Sequence, residues 1–140
     1  MIVGVTGHQR IPADAVGFVT ARIVTMLEDA GRPLTGVSSL AAGADQIFAQ
    51  AVLNAGGRLR VVVPCANYET AFADEAGRRE YARLLAAASS IETLPHPAPS
   101  AAAFLEAGQR VVDLSQLLIA VWDGEAPTGA GGTADVMQYA

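Results

Sequence analysis

Three short stretches of this chain bring together residue types that could hold an anionic ligand. The first is Thr6-Gly7-His8-Gln9-Arg10. Gly7 permits a tight turn and a close backbone approach. The guanidinium of Arg10 can pair with a phosphate through its planar donor fork, and His8 can donate to a phosphate or a ribose hydroxyl. The second stretch is Ser38-Ser39-Leu40-Ala41-Ala42-Gly43-Ala44-Asp45. Its small residues let backbone N–H groups converge around Ser39 and Gly43. Asp45 stands where an acid offsets a helix dipole, and reads first as a structural hydrogen-bond acceptor. The third runs from Asp123-Gly124 through Gly129, Gly131 and Gly132 to Thr133 and Asp135. Thr133 can cap the helix that begins there or bind a phosphate oxygen. Asp135 can act as a general acid or base, hold a ribose, or simply complement the dipole.

Other candidates are weaker. Tyr68 could stack on a base or pack in the core. Arg78, Arg79 and Glu80 read as a solvated, ion-paired face. Cys65 has no histidine near it in sequence and reads as a small, semi-buried residue. His96 lies in a proline-rich loop and is expected to be exposed, while Trp122 reads as a core anchor. The sequence contains neither the G-x-G-x-x-G fingerprint, nor a Walker loop, nor a G-x-S-x-G elbow.

These loops need elements to position them, and the apolar patterning supplies them. Residues 2–6, 34–39, 59–63, 90–94 and 117–122 read as short strands. Residues 12–30, 44–55 and 101–113 read as helices, with a charged helical segment over 68–88 broken near Gly77. A last, short helix begins at Thr133. Strict alternation of strand and helix predicts an α/β fold: a three-layer Rossmann-like domain with a mostly parallel sheet of five or more strands and helices on both faces. In such sheets ligands sit beyond the C-terminal strand ends, where connections diverge. A strand order of 4-3-2-1-5 would make neighbours of the loops after the first, second and fifth strands.

Composition narrows the partners. The 140 residues fit one domain, 1–140, and 51% of them are hydrophobic but only 6% aromatic. The formal net charge is −5 and all nine basic residues are arginine, a balance that argues against broad binding to nucleic-acid backbones. A single cysteine excludes an internal disulfide and any zinc spacing built on cysteine. No basic, apolar leader pattern opens the chain, and no uncharged apolar run approaches the ~18 residues of a membrane helix. The expectation is a cytoplasmic protein with no membrane association, no metal and no cofactor. Its expected partner is a nucleotide-like small molecule, with room for a homo-oligomer.

Taken in order, Gly4-Val5-Thr6-Gly7-His8, Ser39-Leu40-Ala41-Ala42-Gly43-Ala44-Asp45, Val121-Trp122-Asp123-Gly124 and Gly131-Gly132-Thr133-Ala134-Asp135 resemble the SLOG superfamily. That group includes the lonely-guy phosphoribohydrolases, the DNA-processing protein A fold and small bacterial nucleotide-sensor domains. The resemblance is nearest to the sensor-like branch, whose strands end in T-G-H-R, G-A-D and W-D-G patterns. It implies a Rossmann-like fold that binds a nucleotide or nucleotide-derived ligand at these loops. By the same resemblance, Gly131, Gly132 and Thr133 match the phosphate loop of the lonely-guy enzymes, and Asp135 falls near their glutamate. The sequence departs from P-G-G-x-G-T-x-x-E: the proline is absent, and the acid is an aspartate one position early. Gln9 also separates His8 from Arg10. The departures favour a sensor or binding module over the alternative, an enzyme that cleaves the N-glycosidic bond of a nucleoside 5'-monophosphate.

Overall fold

The computed structural model describes residues 1–7 and 9–121. The expectations placed on His8, Trp122, Asp123, Gly124, Gly129, Gly131, Gly132, Thr133 and Asp135, and on the short last helix, lie outside the described residues.

Apolar runs bounded by turn residues form five strands: β1 (Ile2–Gly7), β2 (Thr35–Ser38), β3 (Arg58–Val63), β4 (Ser90–Thr93) and β5 (Leu117–Val121). Every neighbouring pair is parallel and the order is β4-β3-β2-β1-β5. Between the strands run α1 (Val16–Asp29), α2 (Ala44–Asn54), α3 (Glu75–Ala86) and α4 (Ala101–Leu114). Steps from β1 to β4 all move one way across the sheet. Right-handed crossovers therefore put α1, α2 and α3 on one face. The return from β4 to β5 runs the other way and puts α4 on the opposite face.

The core records this layering. Val3 and Val5 of β1 pack with Ile23 and Leu27 of α1 and with Phe48 and Val52 of α2. Leu59 and Val61 of β3 pack with Ala49 of α2 and Leu84 of α3. Val62, one residue further along β3, points through the sheet with Val37 to meet Ala107 and Val111 of α4. A period of two thus feeds two separate apolar layers, as a doubly covered sheet requires.

Element boundaries differ from expectation where a local hydrogen bond overrides the pattern. Pro12 does not open α1. Its carbonyl accepts the Ala15 N–H at 2.8 Å in a preceding turn, and the helix starts at Val16. The break expected near Gly77 falls at residues 72–74. A 3-10 turn (Tyr68–Ala71) ends at Phe72, and Asp74 then caps α3 by accepting the Gly77 N–H at 2.7 Å. Ser100 caps α4 in the same way through the Ala103 N–H at 3.0 Å.

Candidate functional site

All five strands point the same way, so their C-terminal ends share one side of the sheet. Gly7 at the end of β1 stands in register with Val121 at the end of β5. The order β2-β1-β5 makes the three loops of interest leave adjacent strand ends. A cavity of about 600 Å³ opens there. Its lining combines the polar or small residues Thr6, Gly7, Arg10, Ser39 and Asp45 of the first two loops with the apolar Phe72, Phe104, Ala107 and Val111. The volume lies within the roughly 300–1,000 Å³ typical of small-molecule sites.

Gly7 lies in β1 and is not at positive φ. Its missing side chain makes room for protein: a Cβ there would lie 2.5 Å from Ala44 Cβ and 2.9 Å from Val121 Cβ. The glycine therefore lets the start of α2 dock on the end of β1. Gly43 carries φ +83° at the entrance to α2, a conformation that needs glycine. It lines a second hollow of about 470 Å³ between α1 and α2 rather than the main cavity.

Asp45 is partly buried on the first turn of α2. Its Oδ2 accepts the Ala41 N–H at 3.3 Å, and the carboxylate also accepts from the Ser38 hydroxyl and the Ser39 N–H. The fully buried Ser38 hydroxyl in turn accepts the Leu40 N–H at 3.0 Å, which holds Leu40 at φ +58°. Gln46 donates its amide to the Leu40 carbonyl at 3.3 Å and to the Gly77 carbonyl at 2.9 Å, tying this loop to α3. Burial outweighs these donors and pushes the Asp45 carboxyl up to about 7. The loop expected to cradle a ligand with its N–H groups thus already holds an anionic group of its own.

Tyr68 is a core residue that reaches the cavity. Its ring meets Phe72 and Tyr81 edge-on, with centroids 5.2 Å apart in each case, and Phe104 at 6.2 Å. Burial, with the nearby Asp45 charge, keeps its phenol well above the ordinary range and so neutral. Arg10 is exposed at the cavity rim and forms no ion pair among the described residues.

The remaining candidates fall elsewhere. Arg78 and Arg79 pair with Glu75 at 2.7 and 3.4 Å on the outer face of α3. Glu80 pairs with Arg83. Cys65 is buried, which pushes its thiol up and leaves it a poor nucleophile. His96 is half-buried rather than exposed, its Nε2 lying 2.6 Å from Glu106 Oε2. Among the described residues no cluster of histidine, cysteine or acids could hold a metal ion. No helix among them is long and apolar enough to cross a membrane.

Sequence reasoning missed the α4 wall of the cavity. Phe104, Ala107 and Val111 recur at helical spacing and read as ordinary core. Only the crossover of α4 onto the second face brings them to the strand ends. The pair Ala107-Gly108, small residues inside a helix, was the one local hint.

No protein-family model matches the chain, and no curated protein matches it in sequence. Solved structures do resemble it. DNA processing protein A from Streptococcus pneumoniae superposes with a TM-score of 0.66 at 21% identity, over 97% of this chain and 45% of that one. The Helicobacter pylori protein of the same name, described for its single-stranded DNA binding mode, gives 0.67 at 16% identity over 99% of this chain and 60% of its own. The structural-genomics target TM1055 gives 0.60 at 14% identity over 99% of this chain and 66% of its own. The chain spans about half the length of the two DNA-processing proteins. It therefore has the α/β fold of DNA processing protein A, the Rossmann-like fold that the SLOG resemblance implies.

Proposed function

We propose that the cavity binds a nucleotide or nucleotide-derived small molecule and that the chain works as a binding or sensor module. One observation carries this reading: a cavity of about 600 Å³ at adjacent parallel-strand ends, lined by both polar and apolar side chains. Thr6, Ser39 and the guanidinium of Arg10 offer donors to a phosphate and a sugar. Phe72, Phe104, Ala107 and Val111 offer an apolar surface to a base. The loop of Gly124, Gly129, Gly131, Gly132 and Thr133 follows the neighbouring strand in the sequence and is the expected third contributor.

The test is calorimetry and thermal denaturation with a panel of nucleoside 5'-monophosphates. A ligand present at 100 times its Kd stabilises the fold by about 2.7 kcal/mol. Arg10→Ala removes a charge-assisted hydrogen bond of about 1.5–3 kcal/mol, so affinity falls roughly 10- to 100-fold. Failure of every nucleotide to bind at millimolar concentration would sink the reading. Free base released in the same incubations, and lost in Asp135→Asn with affinity spared, would favour the hydrolase alternative.

The likeness to a protein described for single-stranded DNA binding supports a second reading, in which the cleft holds a DNA strand. The net charge of −5 and the single cavity-lining arginine among the described residues weigh against it. An oligonucleotide that competes with mononucleotides and binds far more tightly would favour the strand.

A further inference from the structure

The anion nest at the entrance to α2 is filled by the chain itself. In many phosphate sites, loop N–H groups converge on a bound anion beside a helix N-terminus. Here the Ser39 and Ala41 N–H groups and the Ser38 hydroxyl converge on the Asp45 carboxylate. That carboxylate also lines the cavity, together with Arg10 and Asp74. Arg10 and Asp45 both line the cavity and form no ion pair with one another. Residues 122–140 add three acids and no lysine or arginine.

We infer that Asp45 is a specificity determinant of this cavity: its carboxylate occupies the loop nest as an internal anion, confines a ligand's phosphate to the Arg10 side and repels a second phosphoryl group. The inference rests on the reading of the cavity as a nucleotide site and deepens it. Asp45 need not touch the ligand, because a charge acts across the several ångströms of a poorly solvated cleft. Its rejection of a second phosphate weakens as the carboxyl takes up a proton near neutral pH.

The groups facing Asp45 constrain the test. Ser38, Ser39 and Ala41 of its own loop do not titrate in this range, and the Tyr68 phenol stays neutral. Arg10 is permanently cationic. Asp74 shares the cavity, with its carboxylate on the Gly77 N–H. His8 follows Gly7 in the sequence, and histidine is the residue type that ordinarily changes charge between pH 5 and pH 8.

The experiment measures Kd by calorimetry for adenosine and guanosine 5'-mono- and 5'-diphosphates, on wild type and Asp45→Asn, at about pH 8 and pH 6. Wild type at the higher pH should prefer monophosphate to diphosphate by roughly tenfold, the equivalent of one pKa unit of coupling. Asp45→Asn should bring that ratio toward unity at both pH values. In wild type the ratio should fall on acidification, and it should still fall in a His8→Gln background whatever that variant's affinity. The ligands' own phosphate titration is common to both proteins and cancels in the comparison. A ratio unchanged by Asp45→Asn overturns the inference and leaves the nucleotide reading standing. If Asp45→Asn does not fold, Asp45→Ser takes its place in the same comparison, and a ratio unchanged there overturns it equally. Absence of binding by every probe overturns both.

Discussion

Asp45 makes the folded state carry a proton that the unfolded chain gives up more easily. Its carboxyl is raised from 3.8 to about 7, so its contribution to stability is fully present below the lower value and is lost as pH rises through the upper one. The melting temperature should therefore fall between about pH 4 and pH 7, and Asp45→Asn should flatten that slope. A wild-type slope retained in the variant would assign the effect to another group. Gly7 makes a steric prediction. Gly7→Val places branched carbon into the 2.5 Å and 2.9 Å approaches of Ala44 and Val121, and both neighbours are anchored on regular elements. Overpacking of this kind costs about 1–3 kcal/mol, read as a lower denaturation midpoint. Much of this residue-scale behaviour was legible beforehand. Asp45 on a first helical turn reads as a structural acceptor, and its side chain does accept from three groups. What the sequence concealed was that those groups are the donors otherwise available to a ligand. Gly7 looked like a turn former because its partner Ala44 lies 37 positions away (44 − 7), and nothing local announces that contact.

At the scale of elements, the alternation of strand and helix was enough to anticipate a parallel sheet covered on both faces, while the order 4-3-2-1-5 was suggested only by the three loops it would bring together, and it is the order observed. Boundaries were less legible. The caps Asp74 and Ser100 act through single hydrogen bonds, which compete with glycine and proline signals of similar weight. Position on the cavity was least legible, since the α4 wall depends on a crossover spanning three strands. The element that matters most to the site is α2, which carries Asp45 and packs on both β1 and β2. Its fit on β2 depends on Gly36, where a Cβ would lie 2.5 Å from Val52 Cγ2 and 3.1 Å from Phe48 Cε2. Phe48 itself is fully buried. Phe48→Ala should cost about 3–5 kcal/mol through lost transfer energy and the cavity left behind. On α4, Arg110→Ala removes a half-exposed pair with Glu92 at 3.1 Å and should cost at most about 1 kcal/mol. Chemical denaturation of the two variants separates these magnitudes. A larger loss in Arg110→Ala would mean that the α4 layer is held by charge rather than by Ala107 and Val111.

Over the whole molecule the charge balance supports the proposed small ligand over a strand. Nine arginines face fourteen acids, and only Arg10 among the described arginines lines the cavity. A nucleotide phosphate that meets one guanidinium displaces about one counterion. Its affinity should then fall only about threefold between 50 and 200 mM salt. A single strand held by six phosphate contacts would lose about three-hundredfold over the same interval. The fold alone does not choose, because the same architecture serves a protein described for binding single-stranded DNA, and function resides in the site rather than in the scaffold. The proposed preference for a small ligand rests on a cavity lined by one arginine, an internal anion and several apolar side chains. Measuring Kd for a nucleoside monophosphate and for a short oligonucleotide across that salt range gives two slopes. A shallow slope for the nucleotide, with no measurable oligonucleotide binding, is the expected outcome. A steep oligonucleotide slope would require a basic path across this surface, and Arg22, Arg32, Arg58 and Arg60 would be the first residues to replace in search of it.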